Sequence, residues 1–484
     1  MKGRGMRLAA VIARMQHPEA YSYAAAAGVG AGLGLLSLFS PLLAIGLIGA
    51  VVFVLVVLRY PLVMSYTLIA SVTLVAGVTR GKLIPMLRPN EFVLVLAVAF
   101  TVFIVIADTR RSFAIGRYSF ILAAFAILCC GSIAIPLVYH LSKGHEITFD
   151  ALLNLTSPLK FLATFLVIVT LVQTRVDVER VVLWMLICGA IVALVGLLQA
   201  AGVGVVRQIL ATWYASEHSG AALESTAGRV TSLMAAWNTL GMLMMTTVLL
   251  GWSALQVSSV ARHHWLIMGA TALCALCLLA SGSFAGTLGA VVGIAIIALI
   301  TRQGLKTLKR LFIVGGTVGV GLLLAAPIFW PVLQARLEYQ YGQGGGSGLL
   351  PSTFVYRFWI WSDVFWPFIV DHPIFGTSLV VSEALRWQWL ESQYLLLLFH
   401  GGLISLLAHL LWVGLMACWL LRRARDADDL VRMLALCAFA LLVVTSIAGA
   451  TNEVFLFTGS IDYLWIIFAL VVQQREEQRN ARSS

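Results

Sequence analysis

The chain has 484 residues, of which 61% are hydrophobic and 11% are charged, and its mean hydropathy is +0.96. A soluble protein of this length needs more charge to cover its surface, so the composition excludes an ordinary soluble fold. The net charge of +11 does not indicate a nucleic-acid partner, because the cytoplasmic loops of membrane proteins collect Lys and Arg. We therefore expect an integral membrane protein that binds no nucleic acid.

Apolar runs long enough for an α-helix to cross the hydrocarbon core recur from end to end. The sequence lacks the extended alternation that is typical of barrel strands, so the predicted fold is an all-α polytopic membrane protein. We predict about fourteen transmembrane helices, within a range of 12–14, in a single transmembrane domain over 1–484. The predicted spans are 22–39, 41–58, 62–78, 91–107, 118–138, 159–173, 180–201, 235–256, 264–281, 284–301, 310–332, 391–420, 431–449 and 460–473.

The distribution of positive charge predicts the orientation of these spans. With the N-terminus inside, 22 of the 32 Lys and Arg residues fall in cytoplasmic segments. The basic start, which has no clear cleavage site, is predicted to be a cytoplasmic tail over 1–21, and a second tail covers 474–484. The seven cysteines lie inside apolar spans. Cys274 and Cys277 have CxxC spacing without further ligands nearby, so we expect packing and no metal site.

Two predicted outer loops are longer than the others, at 202–234 and 333–390. The second contains a glycine-rich stretch over 342–348, which is typical of a flexible segment. It is followed by an aromatic stretch over 353–370 that is too polar to span. This stretch predicts short interfacial helices with Trp359, Trp361 and Trp366 at headgroup level.

Ten cations remain on the predicted outer side. They are Arg80, Lys82, Arg88, Lys143, Lys160, Arg207, Arg229, Arg336, Arg357 and Arg386. Cations are costly near the membrane centre, and the planar fork of arginine suits phosphate oxygens. They therefore indicate an anionic partner reached from the outer side. The alternative is that they pair with lipid headgroups or with outer acids, namely Glu91, Glu146, Asp150, Glu217, Glu224, Glu338, Asp363, Asp371, Glu383, Glu391, Glu453 and Asp462.

Three segments resemble the superfamily of bacterial O-antigen ligases and O-antigen (Wzy-type) polymerases. The first segment is 229–238, where an Arg precedes a small-residue turn and Asn238 opens a membrane helix. The second runs from Arg357 through Trp361 to the His-Pro-Ile-Phe-Gly motif at 372–376. The third is Glu-Ser-Gln-Tyr-Leu at 391–395, followed by Gly401 and Gly402. The resemblance covers roughly 60–477 and includes the dominant outer loop near the C-terminal third.

The sequence departs from the family pattern at two places. Glu391 stands where ligases carry a histidine, which favours a polymerase. The common Ser-Arg near the outer end of a span is here Ser281-Gly-Ser283, so its arginine is absent, and Arg80, Arg88 or Lys160 is a candidate to replace it.

The resemblance implies a GT-C-like membrane glycosyltransferase in the bacterial inner (plasma) membrane, with cytoplasmic termini and a periplasmic active site. Such an enzyme polymerises undecaprenyl-diphosphate-linked oligosaccharide repeat units into O-antigen or exopolysaccharide. Its partners are the lipid-linked donor and acceptor and the membrane lipids, with a chain-length regulator as a further partner. The resemblance implies no nucleotide sugar, no metal and no other cofactor.

The chemistry of this reaction assigns roles to the candidate residues. Breaking a sugar–diphosphate bond builds negative charge on the leaving diphosphate, which positive groups stabilise. We assign this role to Arg229 and Arg357, with Lys160, Arg80 and Arg88 as further candidates.

The acceptor is a sugar hydroxyl, which benefits from a base within about 3 Å. Glu391 is the candidate base, and the alternative is a salt bridge from Glu391 to Arg386 or Arg357. Trp361 and Tyr394 either stack on sugar rings or anchor the chain in the interface. Arg386 and Asn238 complete the candidate substrate site.

Two other activities remain open at this point. A ligase would transfer the glycan from undecaprenyl diphosphate to the lipid A core. A lipid-linked oligosaccharide flippase would move it unchanged, but transporters commonly show two similar halves and ionisable residues near mid-bilayer. Neither feature is visible in the sequence, and the informative residues cluster on one side.

Overall fold

The computed structural model describes residues 41–107 except 86, 115–144, 152, 155–214, 230–301, 316, 330, 334, 352–377 and 390–473. The regular secondary structure of these residues consists of helices, which turns and irregular segments connect, and of one isolated bridge between Ile84 and Leu87. The prediction of an all-α chain is therefore confirmed for the described part. The chain divides into two units, Met1–Val63 and Met64–Ser484.

The first unit contains α1 (Pro41–Arg59) and ends in the first turn of α2 (Leu62–Leu74). The second unit continues with α3 (Pro89–Ala107), α4 (Ile115–Cys129), α5 (Ile135–Ser142), α6 (Ser157–Leu171), α7 (Arg175–Ala200), α8 (Gly204–Trp213), α9 (Trp237–Ala254), α10 (His264–Ser281), α11 (Phe284–Thr301), α12 (Ser352–Trp359), α13 (Trp366–Asp371), α14 (Gln393–Arg423), α15 (Asp429–Ala448) and α16 (Ser460–Gln473). A π-helical turn at Cys130–Ala134 joins α4 to α5, and another at Ile360–Phe365 joins α12 to α13.

Seven helices in the described part are long and apolar enough to cross a membrane. They are α3, the continuous α4–α5 helix from Tyr118, α7, α10, α11, α14 and α15, and shorter apolar helices accompany them. These are the helices of a helical membrane protein. Twelve of the fourteen predicted spans coincide with described helices, although their ends differ by several residues. The predicted span 22–39, the predicted span 310–332 except residues 316 and 330, and the two predicted tails lie outside the described residues, so the count of fourteen stays a prediction.

Helix α9 forms the centre of the second unit. Its residues from Thr239 to Ala254 are buried, and it packs against α7, α10, α11, α15 and α16. Glycine permits the close approach of α9 and α11, since a Cβ on Gly286 of α11 would lie 2.8 Å from the carbonyl oxygen of Gly241 on α9. The buried centre holds the N-terminus of α9, and with it Asn238, in a fixed position.

The described part of the loop predicted at 333–390 contains α12, the π-helical turn and α13. Ile360, Phe365 and Ile369 form a buried cluster with Leu390 and Phe399, which anchors these short helices on the start of α14. Trp359 and Trp366 are exposed, whereas Trp361 packs against the cluster. The glycine-rich stretch at 342–348 lies outside the described residues, as does 215–229 of the loop predicted at 202–234, whose described part includes α8.

Helix α14 is interrupted in its third turn by two glycines. Gly402 has φ of +62° and ψ of −156°, a conformation that other residues rarely adopt. At the break, some backbone N–H and C=O groups of α14 have no partner within the helix. They bond instead to the preceding loop, where Leu403 N donates to Pro373 O at 2.8 Å and Thr377 N donates to Phe399 O at 2.8 Å.

Candidate functional site

Two of the three segments on which the family resemblance rests meet at the broken turn of α14. The turn from His372 to Gly376 lies against the two glycines of α14, and a Cβ on Gly402 would clash with the backbone of Ile374 at 2.3 Å. The glycines are therefore required by the close approach of two backbones. His140 of α5 adds a contact of 3.1 Å from Nε2 to the carbonyl oxygen of His400.

Arg357 and Glu391 form an ion pair between α12 and the residue just before α14. The side chain of Arg357 is 19% exposed and that of Glu391 is 41% exposed, so the carboxylate is accessible. Glu391 has φ of +49°, which is a strained conformation for a residue with a Cβ. The structure thus pairs Glu391 with Arg357, as one of the two predicted alternatives stated.

The segment between α15 and α16 supports the backbone on both sides of Glu391. Glu453 accepts a hydrogen bond from Leu390 N at 3.0 Å on its Oε1 atom, and Gln393 N donates to Gly449 O at 2.8 Å. Burial raises the pKa of Glu453 to about 7, and the charge of Glu391 acts in the same direction, while backbone N–H groups of Leu390 and Glu391 oppose the shift. This carboxyl therefore titrates near neutral pH.

The first resembling segment, 229–238, joins the same place through an amide pair. Asn238, at the start of α9, donates from Nδ2 to Asn452 Oδ1 at 3.0 Å. Asn452 is buried beside Glu453, and its carbonyl oxygen accepts from Gln393 N at 3.2 Å. The described parts of the three segments, which are far apart in sequence, are therefore connected through residues 449–453.

A second cluster surrounds Glu91, in the first turn of α3. Arg80 Nη2 and Lys160 Nζ each lie 2.9 Å from Glu91 Oε1, and Arg88 N donates to Glu91 Oε2 at 3.0 Å. Glu91 is buried, whereas the side chains of Arg80 and Lys160 are partly exposed. One carboxylate is thus shared by two cations, with a third beside it. We call Arg80, Arg88, Lys160 and Glu91 the Glu91 cluster.

Arg88 is the member of the Glu91 cluster whose positive charge is disfavoured by its surroundings. Burial lowers the pKa of its guanidinium, the neighbouring charge of Arg80 lowers it further, and Glu91 partly compensates. Its Nε atom is buried and makes no hydrogen bond. A buried donor without an acceptor is costly in a folded protein, so this position favours an additional anion.

The segment over 449–462 runs between the Glu91 cluster and the Arg357–Glu391 ion pair. Glu453 contacts the backbone before α14, and nine residues later Asp462 lies close enough to Lys160 for their charges to interact. Asp462 is buried and accepts from Gly459 N at 2.8 Å. On the other side, Gly77 N donates to Leu233 O at 3.1 Å, which ties the segment containing Arg80 to the segment before α9. The Glu91 cluster and the Arg357–Glu391 ion pair therefore lie at the same end of the helices.

The remaining predicted site residues either hold the local structure or lie outside the described residues, and two further predicted outer cations contact aromatic rings. Trp361 donates from Nε1 to Leu390 O at 2.8 Å, and Tyr394 OH donates to Ser446 O at 2.5 Å, so both polar groups are used in holding the local structure. Arg229 and Arg386 lie outside the described residues. Lys82 and Lys143 contact aromatic rings of Trp213 and Tyr139.

Glu91 pairs with Arg80 and Lys160, as the predicted alternative of pairing with outer acids stated. The same alternative included Glu453 and Asp462, but the contact of Glu453 with the backbone before α14 was not predicted. Glu91 opens an apolar helix, and Glu453 and Asp462 lie in a short segment between two apolar helices. An acid at such a boundary, where burial is expected, is the signal that could have identified them.

The chemistry available at this end is that of cations and carboxylates. Among the described residues, no three His, Cys, Asp or Glu side chains lie together as metal ligands. The Glu91 cluster offers positive charge and guanidinium donors to an anion, and Glu391 offers an accessible carboxylate that could accept a proton. Compared with protein-family models and with curated proteins, the chain matches no family model and no curated protein.

Proposed function

We propose that this chain is a glycosyltransferase that polymerises undecaprenyl-diphosphate-linked oligosaccharide repeat units on the periplasmic face of a bacterial inner membrane. One observation carries the proposal. The Glu91 cluster, in which the described cations outnumber the acids, lies on one side of residues 449–462. The accessible Glu391 carboxylate, paired with Arg357, lies on the other side, at the same end of the helices.

The Glu91 cluster suits the diphosphate of the lipid carrier. Counting only the described residues, three cations face the Glu91 carboxylate and the nearby Asp462, so the cations outnumber the acids by one. Arginine forks match phosphate oxygens, and Arg88 has a buried donor without an acceptor. A diphosphate bound here would gain negative charge as the sugar departs, and fixed cations would stabilise that charge.

Glu391 suits the acceptor side of the reaction. In the proposed step the bond between the anomeric carbon and the diphosphate oxygen breaks, and undecaprenyl diphosphate leaves with the bonding electrons. The acceptor hydroxyl oxygen forms the new glycosidic bond, and its proton passes to the Glu391 carboxylate. Arg357 orients that carboxylate through the ion pair and contributes positive charge to the site.

The positions of the charges favour an enzyme over a flippase. Within the described residues, every ion pair lies in a connecting segment or close to a helix end. Alternating access would favour ionisable groups near the middle of the spans. Glu391 in place of the histidine of the ligases favours polymerisation over transfer to the lipid A core.

The direct test is to incubate the purified full chain, in lipid nanodiscs, with an undecaprenyl-diphosphate-linked oligosaccharide. We expect a ladder of products that differ by one repeat unit. We expect Arg357→Ala, Arg229→Ala and Glu391→Gln each to lower its rate of formation by about 10²–10³, while the variants still insert. Lys143→Ala is the matched control, because Lys143 is a predicted outer cation that contacts Tyr139.

Other outcomes separate the alternatives. A single transfer to added lipid A core, without a ladder, would identify a ligase. Movement of the unchanged lipid-linked oligosaccharide across a vesicle membrane, without new glycosidic bonds, would identify a flippase. A normal ladder from Arg357→Ala would remove that residue from the mechanism.

A further inference from the structure

Glu453 is the buried carboxyl to which neither the sequence nor the proposed reaction gives a role. It is 6% exposed and lies one residue after Asn452, in the segment that links α15 to α16. Among the described residues it makes no ion pair with a cation. A buried acid without a cation is expensive, so its retention needs a reason.

The contacts of Glu453 converge on one peptide unit. Its Oε1 atom accepts from Leu390 N at 3.0 Å, and the N–H of Glu391 also donates to its carboxyl. The carbonyl oxygen of Leu390 is held from the other side by the indole N–H of Trp361 at 2.8 Å. The peptide that joins Leu390 to Glu391 is therefore fixed at its donors and at its acceptor.

This fixation coincides with backbone strain. Glu391 has φ of +49°, and a non-glycine residue keeps such a conformation only when its surroundings hold it there. Two residues later the chain begins α14, where Ser392 caps the helix by accepting from Leu395 N. The strained residue is the one whose carboxylate pairs with Arg357.

We propose that Glu453 is a positioning residue that holds Glu391 in its left-handed conformation and so aims the Glu391 carboxylate at Arg357 and the acceptor. The role in catalysis rests on the proposed function, whereas the role in holding the backbone does not. Among the described residues, the charged group that acts on Glu453 is Glu391, which pairs with Arg357.

The first test measures the backbone and needs no substrate. In the full chain in nanodiscs, Glu453→Ala removes the acceptor of the Leu390 and Glu391 N–H groups, so their hydrogen exchange should become faster. Glu453→Gln keeps a side-chain oxygen acceptor and should retain most of the protection. Asp363→Asn is the control, because the Asp363 side chain is exposed and contacts only Ser362 among the hydrogen bonds described. Unchanged exchange in Glu453→Ala would overturn the proposal.

The second test measures whether Glu453 acts through Glu391. Because misplacing a catalytic group by about 1 Å can cost 10²-fold, we expect Glu453→Ala to lower kcat for ladder formation by up to about 10²-fold. In a Glu391→Gln background the same substitution should cost much less, since the group that it positions is already absent. Equal losses in both backgrounds would show a purely structural role and would overturn positioning.

The two tests fail in different ways. If exchange of the Leu390 and Glu391 amides becomes faster but wild-type protein forms no ladder, the proposed function fails and the backbone role stands. If wild-type protein forms a ladder but the double-variant comparison shows equal losses, the proposed function stands and the positioning role fails.

Discussion

Two ion networks at opposite ends of the helices have opposite charge imbalances. In the Glu91 cluster, three cations surround one acid at the ends of α2, α3 and α6. At the other end, Arg175 alone faces three acids, with Nη1 at 2.5 Å from Asp428, Nη2 at 2.9 Å from Asp429 and Nε at 3.5 Å from Glu179. We call these four residues the Arg175 network.

The surplus acids of the Arg175 network have other partners within the fold. Asp428 caps α15 by accepting from Leu430 N at 2.8 Å and Val431 N at 3.2 Å. Acids at helix N-termini are stabilised by the helix dipole and by the unpaired N–H groups there. The backbone N–H groups at the start of α15 therefore stabilise part of the negative charge of the Arg175 network.

Within the part of the chain that the structure describes, the cations of the Glu91 cluster outnumber its acids, with Asp462 as a further acid near Lys160. The cations lie near the N-termini of α3 and α6, where the helix dipole disfavours positive charge, and the Arg88 Nε atom makes no hydrogen bond. We infer that an ion network indicates a ligand site when neighbouring charges and helix termini do not balance its net charge. On this basis we expect substitutions in the Glu91 cluster to affect activity and substitutions in the Arg175 network to affect stability.

The largest expected effect is that of Lys160→Ala on the rate of glycan transfer. The substitution removes one positive charge but leaves Glu91 paired with Arg80, so the fold retains its local ion pair. Loss of one fixed charge from a site of this kind lowers the rate by about 10²–10³, or about 2.7–4 kcal/mol in the activation free energy. The measurement is the initial rate of ladder formation in nanodiscs, together with the thermal midpoint of unfolding.

Lys160→Arg preserves the charge and should retain most of the rate, and Lys143→Ala provides the outer-side control. If Lys160→Ala lowers the thermal midpoint and leaves the rate per folded molecule unchanged, the Glu91 cluster is structural. The distinction between the two networks would then be lost.

The sequence predicted the helices well, because apolar runs of the required length determine them directly. The sequence also predicted helix in the stretch 353–370, where the structure has α12, a π-helical turn and α13, and the interfacial position of these helices stays a prediction. The contact between α14 and the His-Pro-Ile-Phe-Gly turn was not predicted. The pairing of charges was not predictable in detail. Which of several outer acids accepts from Arg80 or Lys160 depends on contacts between segments far apart in sequence, and spacing along the chain does not encode such contacts.

Glu453 provides the next largest effect, because it is a buried acid that makes no ion pair among the described residues. Its pKa is raised from an ordinary value of 4.5 to about 7, chiefly by burial. The folded protein therefore holds this proton more tightly than the unfolded chain does. The corresponding stability is fully present below pH 4.5 and is lost as the pH rises through about 7, an amount on the order of 3 kcal/mol.

Glu453→Gln removes this titration, since the amide stays neutral. We expect the free energy of unfolding of the wild type to fall relative to that of Glu453→Gln as the pH rises from about 4.5 to 8. Chemical denaturation in detergent at several pH values measures the difference. Parallel curves for the two proteins would show that Glu453 is ionised in both folded and unfolded states, and that burial does not control its charge.

Arg175→Ala should have the smallest effect of the three, and on stability alone. Without Arg175, the acids Asp428 and Glu179 remain largely buried and lose their shared cation, although Asp428 still caps α15. Because the Arg175 side chain is 34% exposed, water screens part of the loss, and we expect a decrease of about 1–3 kcal/mol in the free energy of unfolding.

Asp429→Asn removes one surplus negative charge from the same network, so it should restore part of the stability when combined with Arg175→Ala. The rate of glycan transfer per folded molecule should stay unchanged in both variants, since the network lies at the opposite end from the candidate site. A fall of tenfold or more in that rate would mean that the Arg175 network is coupled to the site, and that charge balance does not separate structural networks from functional ones.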